Sequence, residues 1–267
     1  MGQSDVIRLS IFGAMFLLMA VWEAIAPVRD RAAPRWLRWG NNVSLLLVGN
    51  ALLRLAIPVT AIGFAGAMQQ EGSGMLNTVA MPEVLAFVLA VAVLDMGIYF
   101  QHRIFHAVPV LWRLHRVHHA DTEFDVSTAL RFHPFEMAIS LLFKLGMIAL
   151  LGPSPAAVLT FEVLLNAGAM FNHANVRLPS GADGFLRAVI VTPDMHRIHH
   201  SVNMREANSN FGFSLSLWDK LFGSYRNRSE APQETMAIGV SNFRGKRNLW
   251  LDRLLLQPFA ARDTPAR

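Results

Sequence analysis

The chain of 267 residues contains no cysteine. Disulfides, iron–sulfur clusters, thiolate zinc sites and cysteine nucleophiles are excluded together. Any chemistry must run on histidine, carboxylates, hydroxyls and amides. Charge is also scarce, at 16% of residues against about 25% in an average soluble domain. With 53% hydrophobic residues and a mean hydropathy of +0.33, that deficit points to a membrane protein and excludes a disordered chain. There is no Gly-rich GxGxxG loop for a nucleotide, and no HExxH, in which Glu serves as base beside two zinc-bound His. The net charge is +5. The arginines lie beside apolar segments, so their partner is a membrane surface and not nucleic acid.

The apolar runs predict an all-α bundle of about four to five membrane segments. The first is Val6 to Pro27. A signal peptide is the competing reading, because Ala24-Ile25-Ala26 resembles a cleavage site. Asp5 and a lone Arg8 make a poor start for one, so a retained helix is expected. The second, Val43 to Met68, is interrupted by Arg54 and Pro58 but long enough to span. The third is Val84 to Tyr99, extendable from Pro82 to His102. The fourth and fifth, Met137–Leu151 and Ala156–Phe171, form a short hairpin around Gly152-Pro153-Ser154-Pro155. Arg29, Arg31, Arg35 and Arg38 fill segment 28–41, whereas 69–80 has no Lys or Arg. The first loop is therefore predicted to be cytoplasmic, and residues 174–247 with it. Asn248–Phe259 has the pattern of an interfacial helix or of one packed on its own domain.

All ten histidines fall between positions 102 and 200, in the runs HRIFH, HRVHH, RFHP, FNHAN and HRIHH. Residues three and four apart on a helix share a face. His102 with His106, and His115 with His118 and His119, can each serve one metal region. His196, His199 and His200 repeat the pattern, and adjacent His118 and His119 can point at two different metals. One tetrahedral ion takes four ligands, so two metals with four or five His each are expected. Imidazole alone suits Zn, Cu, Fe or Ni. The membrane setting favours iron and oxygen chemistry on lipids.

At this point the chain resembles the fatty acid hydroxylase / sterol desaturase family of integral-membrane non-haem diiron enzymes. The resemblance rests on Asp95-x-x-x-Tyr99-x-x-His102-Arg103-x-x-His106, His115-x-x-His118-His119, Arg131-Phe132-His133-Pro134-x-Glu136, Asn172-His173-x-Asn175 and His196-x-x-His199-His200. Asn210-Phe211-Gly212 and Trp218-Asp219-x-Leu221-Phe222-Gly223 extend it, so that it covers roughly 84–226. It implies a membrane bundle with a cytoplasmic histidine-rich cap, two iron ions and O2 as co-substrate. The implied metal ligands are His102, His106, His115, His118, His119, His173, His196, His199 and His200. His133 is a tenth ligand or a hydrogen-bonding group of the cap, and Asn175 a partner for metal-bound water. The chain divides on this reading into two N-terminal membrane helices (1–80), a hydroxylase/desaturase-like domain (81–230) and a basic tail (231–267).

Metal-bound His usually donates its other N–H to a carboxylate or carbonyl. Asp95, two turns before His102, is expected to face the ligands, with Asp121 and Glu136 as further candidates. Asp125 and Asp194 fit helix caps or salt bridges better. The expected activity is O2-dependent hydroxylation or desaturation of a lipid C–H site: a sterol, fatty acyl chain or relative. With no cysteine and no nucleotide loop, electrons are expected from a separate ferredoxin, cytochrome or reductase. The expected location is a bacterial inner membrane. The alternatives are a zinc-dependent membrane hydrolase and a non-enzymatic metal-binding or transport protein.

Overall fold

The computed structural model describes residues 2–260. Its helices, in chain order, are α1 (Gln3–Ile25), α2 (Arg35–Ala56), α3 (Ala61–Gln70), the single turn α4 (Met75–Thr78), α5 (Glu83–Ala107), α6 (Pro109–His119), α7 (Pro134–Leu151) and α8 (Pro155–Asn172). Five short helices follow: α9 (Ser180–Leu186), α10 (Pro193–His199), α11 (Met204–Ala207), α12 (Leu217–Leu221) and α13 (Leu251–Leu256). Among the described residues there is no strand, only the isolated bridges Ile190 to Leu215 and Ser201 to Ile238.

Among the described residues, four segments are long and apolar enough to cross a membrane: Gln3–Ile25, Arg35–Thr78, Glu83–Ala107 and Pro134–Leu151. Large apolar side chains stand exposed along them, including Leu17, Leu18, Leu47, Leu55, Val84 and Leu150. Hydrocarbon is the solvent such an area requires. The second apolar run differs from its expectation. It is two helices, because Pro58 lacks the N–H that continuation needs. Arg54 sits in the last turn of α2, where the first of them ends. Thr60 then caps α3, its hydroxyl accepting from the Gly63 N–H at 3.0 Å. Ala61 and Ala65 of α3 pack into a core with Leu94, Ile98, Ile148, Leu151, Val158 and Phe161.

The α7–α8 hairpin turns at Gly152, whose φ of +64° is left-handed and whose Cβ position lies 2.4 Å from the Ser73 carbonyl oxygen. Only glycine fits there. Each arm has 18 residues, or about 27 Å of helix, slightly short of a hydrocarbon core of about 30 Å. Within these arms Glu162 pairs with Lys144 at 2.6 Å and with Arg8 of α1 at 3.1 Å. An isolated charge in hydrocarbon is costly, so the three-way pairing ties α1, α7 and α8 together. α1 belongs to the packed fold: its Glu23 is buried and accepts from the backbone N–H of Val126 (2.6 Å) and Asn175 (2.9 Å).

The end of the bundle that carries the histidines is locked by Arg38. Its guanidinium is wholly buried and takes Asp121 by a two-point contact (2.9 and 2.7 Å) and Asp125 at 2.5 Å. The clamp fixes α2 to the link between α6 and α7. The C-terminal α13 packs on its own domain: Leu254 is buried against Leu45 and Val117. Its other face leaves Trp250 and Leu256 exposed, with Phe259 beyond it.

Replacing Arg38 by methionine fills the volume but leaves two buried carboxylates without a counter-charge. Breaking a buried pair in this way costs about 3–5 kcal/mol. Arg38→Met is expected to lower the unfolding midpoint in detergent sharply, whereas Arg247→Met, at an exposed pair with Asp252, leaves it nearly unchanged.

Candidate metal centre

Local structure brings the histidines together from four elements. One turn of α5 carries His102 and His106, and the last turn of α6 carries His115, His118 and His119. His173 follows α8 as its C-cap. His196 and His199 lie on α10, with His200 as its C-cap. Their ring nitrogens form two groups. One holds His102, His106, His115, His119 and His199; the other holds His118, His173, His196 and His200. Within each group the nitrogens lie within 4.8 Å of one another. Adjacent His118 and His119 serve different groups, as do His199 and His200. The groups abut, with His119 and His200 stacked at 4.5 Å between centroids. Eight of these nine residues are buried and His106 is half-buried.

Hydrogen bonding fixes the protons. The Nδ1–H of His102 donates to the Phe211 carbonyl (2.8 Å) and that of His199 to the Ser209 carbonyl (2.8 Å), while His115 Nδ1 and the Glu136 carboxyl share a hydrogen bond of 2.6 Å. In a neutral ring with Nδ1 protonated, Nε2 is a bare lone pair. Yet the Nε2 of His102 stands 3.0 Å from those of both His115 and His199. The lone pairs of His102 and His199 face each other with no proton between them. In the second group the Nδ1–H of His173 donates to the Ala169 carbonyl, and its Nε2 faces those of His118 and His196 at 3.1 Å. The buried Nδ1 of His118 and His196 and both nitrogens of His200 have no partner.

Such an arrangement repels itself unless a cation sits among the nitrogens, so the residues fit a metal in each group. Nitrogens around tetrahedral zinc stand about 3.4 Å apart, given Zn–N bonds near 2.1 Å. Spacings of 3.0–3.2 Å lie near that value, and the groups offer five and four nitrogens. Burial pushes the imidazoles outside the spans below their ordinary value: His115 and His173 to about 3, and His118, His119, His196, His199 and His200 well below it. They are neutral near pH 7, the form in which imidazole binds metal.

The residues expected to support the ligands divide. Glu136 holds His115. Asp95 does not reach a histidine; its carboxylate accepts from Trp218 Nε1–H (2.8 Å) and the Leu215 N–H (3.3 Å), because the segment after α11 fills the space beside it. Asp121 is occupied by Arg38 and Thr128. Asn175 points away from the rings and pairs with the backbone N–H and carbonyl of Arg29. His133 stands outside both groups: its Nδ1 caps α7 by accepting from the Phe135 N–H, and its Nε2 faces the Leu255 carbonyl. Asp125 caps the turn Val126–Leu130, and Asp194 pairs with Arg197 and Arg177.

Sequence reasoning missed most of the groups that orient the ligands, because they are backbone carbonyls. One set had a signal in Asn210-Phe211-Gly212 and Trp218-Asp219. The Asp219 carboxylate accepts from the N–H groups of Phe211 (2.7 Å) and Gly212 (2.8 Å), which aims the Phe211 carbonyl at His102. A Cβ at Gly212 would lie 2.6 Å from the Leu215 oxygen.

These low imidazole pKa values set the sign of a pH effect. The unfolded chain, with ordinary values near 6.5, binds more protons than the folded one in acid, so stability falls as pH drops through about 6.5. Metal-stripped protein is expected to unfold with a steep, multi-proton dependence between about pH 6.5 and 4. A flat denaturation midpoint over that range would contradict the placement of the neutral rings.

The fatty acid hydroxylase family model matches residues 87–224, the stretch holding every histidine of both groups. Ornithine lipid hydroxylase OlsE of Rhizobium tropici is 33% identical over 184 residues, 67% of this chain and 52% of that protein. Human alkylglycerol monooxygenase is 32% identical over 149 residues, 55% and 31% of the two chains. Human cholesterol 25-hydroxylase is 30% identical over 146 residues, 51% and 49%. The matches thus span about half or less of these relatives' lengths. No solved structure matches. With the family model covering more than half of its length, the chain belongs to the fatty acid hydroxylase family.

Proposed function

We propose that this protein is a membrane-bound diiron enzyme that hydroxylates a C–H bond of a membrane lipid with O2. The observation that carries the reading is the convergence of the Nε2 atoms of His102, His115 and His199, those of His102 and His199 as bare lone pairs, beside a second group of four buried histidines. The named relatives act on lipids by hydroxylation or monooxygenation, which favours an alcohol product over a double bond. The balance is RH + O2 + 2e⁻ + 2H⁺ giving ROH + H2O, with the electrons supplied by a separate carrier.

His102, His106, His115, His119 and His199 would hold one iron, and His118, His173, His196 and His200 the other. Bound there, the two ions supply the O2 activation that an unactivated C–H bond requires. The protein contributes the rest. Carbonyls of Phe211, Ser209 and Ala169 and the carboxylate of Glu136 orient the rings and keep their Nε2 atoms free. The apolar walls, among them Phe124, Phe132, Phe211 and Phe213 around the rings, exclude water and let a hydrocarbon approach. Trp112 and half-buried His106, 4.8 Å apart between ring centroids, form the open side of the first group.

The membrane is a bacterial inner membrane in this reading, with the histidines on the cytoplasmic side. The support is positional. The Arg29–Arg38 loop, rich in the charge that cytoplasmic loops carry, joins the histidine end of the bundle through Asn175 and Asp121.

Purified protein is expected to hold two irons per chain. In matched cells with a compatible electron donor, lipid mass spectrometry should find a lipid heavier by one oxygen only with the unmutated chain, not with His199→Ala. Glu136→Gln should keep the fold and weaken metal retention about 10–100-fold. Tightly held zinc in place of iron, with no oxygenated lipid, would return the protein to the hydrolase reading.

A further inference from the structure

The cap carries an exposed apolar patch of its own, outside the crossing helices. Asp95 on α5 accepts from Leu215 and Trp218. On the other side Asn172 Nδ2–H donates to the Phe213 carbonyl at 2.8 Å, and the Cβ position of Gly168 on α8 lies 3.5 Å from that same oxygen. Residues 213–218 are thus wedged between α5 and α8. At 1.5 Å per residue, Asp95 stands about 18 Å from the start of α5, and Gly168 about 20 Å from the start of α8. Both starts lie at the end of the bundle remote from the histidines. Since a hydrocarbon core is about 30 Å thick, the wedge reaches about 10 Å into the apolar layer from the histidine side.

The side chains around the wedge agree with that depth. Leu217 and Leu221 on α12 are 41% and 68% exposed, and Phe185 on α9 and Val189 are 79% and 50% exposed. The two elements are one unit: the Ser216 N–H donates to the Val189 carbonyl, and Lys220 Nζ donates to the carbonyls of Arg187 and Ala188. Phe222 packs on Phe100 with centroids 4.8 Å apart. Phe100 belongs to the exposed apolar stripe of α5, with Leu85, Leu89 and Ile104. The patch is therefore continuous with a face that already meets lipid.

We propose that the exposed face of α9 and α12 is immersed in the bilayer leaflet on the histidine side, so that the cap stands in the membrane on a foot of its own. Its occupant is lipid, because a soluble protein reaching this face would first have to displace the lipid bordering α5. Lys220 carries its ammonium at headgroup level while the apolar residues beside it enter the acyl region.

Absence of cysteine makes the test direct. Single cysteines are placed at Leu221 and Phe185, both too exposed to disturb the core, and at Glu234, 47% exposed elsewhere in the cap. The full chain is set in nanodiscs of phosphatidylethanolamine and phosphatidylglycerol and treated with a charged thiol reagent. Leu221→Cys and Phe185→Cys are expected to react at least about tenfold more slowly than Glu234→Cys, as for a side chain lying in the acyl boundary. A fluorophore attached at either should be quenched by lipids brominated on their acyl chains. Reaction as fast as at Glu234 would overturn the proposal. Slow reaction without bromolipid quenching would overturn it too, and disulfide-linked dimers of Leu221→Cys would then identify a second copy as the cover.

Discussion

Imidazole nitrogens are held 3.0 Å apart, and the rest of the cap is arranged to keep them there. Each ring is gripped at the far nitrogen or by its neighbours. His102, His199 and His173 give their protons to backbone carbonyls, and His115 is held by Glu136. Those acceptors are held in turn. Asp219 fixes the Phe211 turn, and Asn210, in a left-handed conformation with φ 54°, bridges the Met195 and Arg226 carbonyls. The stiffness needed to keep like groups together is paid for by a dense polar lattice behind them. The membrane helices contribute only their ends.

Much of the fold was legible because its rules are local. Apolar runs of about the right length gave the crossings, and Gly152 with Pro155 gave the hairpin turn. Pro58 was visible too, but its consequence was not: a run of unbroken hydropathy reads as one span even where the backbone cannot continue. The grouping of histidines was legible for a similar reason, since an HxxHH pattern on a helix fixes which rings share a face. Neighbouring rings such as His118 and His119 must diverge by about 100° on a helix of 3.6 residues per turn, and they do enter different groups.

The misreadings have a common origin. Asp95 fits the histidines by helical phase, and Asp121 and Asn175 lie close to them in sequence, yet each is taken by a partner distant in the chain: Trp218, Arg38 and Arg29. A carboxylate's choice of partner is decided by tertiary approach, which periodicity does not encode. Glu136 differs because it lies in the first turn of α7, directly beside the end of α6 that carries His115. The carbonyl acceptors were invisible for a simpler reason: every residue has one.

Glu23 has a consequence for how the protein is made. Its backbone donors, Val126 and Asn175, lie 103 and 152 residues further along the chain. Its cationic partners, Arg31 and Arg35 at 3.3 Å, lie only 8 and 12 residues along, so in a directional synthesis the charge is paired long before the backbone donors exist. Until those donors emerge, this ion pair lacks the two backbone contacts that seat the end of α1 beside the histidine cap. The end of α1 therefore takes its final seat only once Asn175 has been made, after α8 and before the histidines of α10.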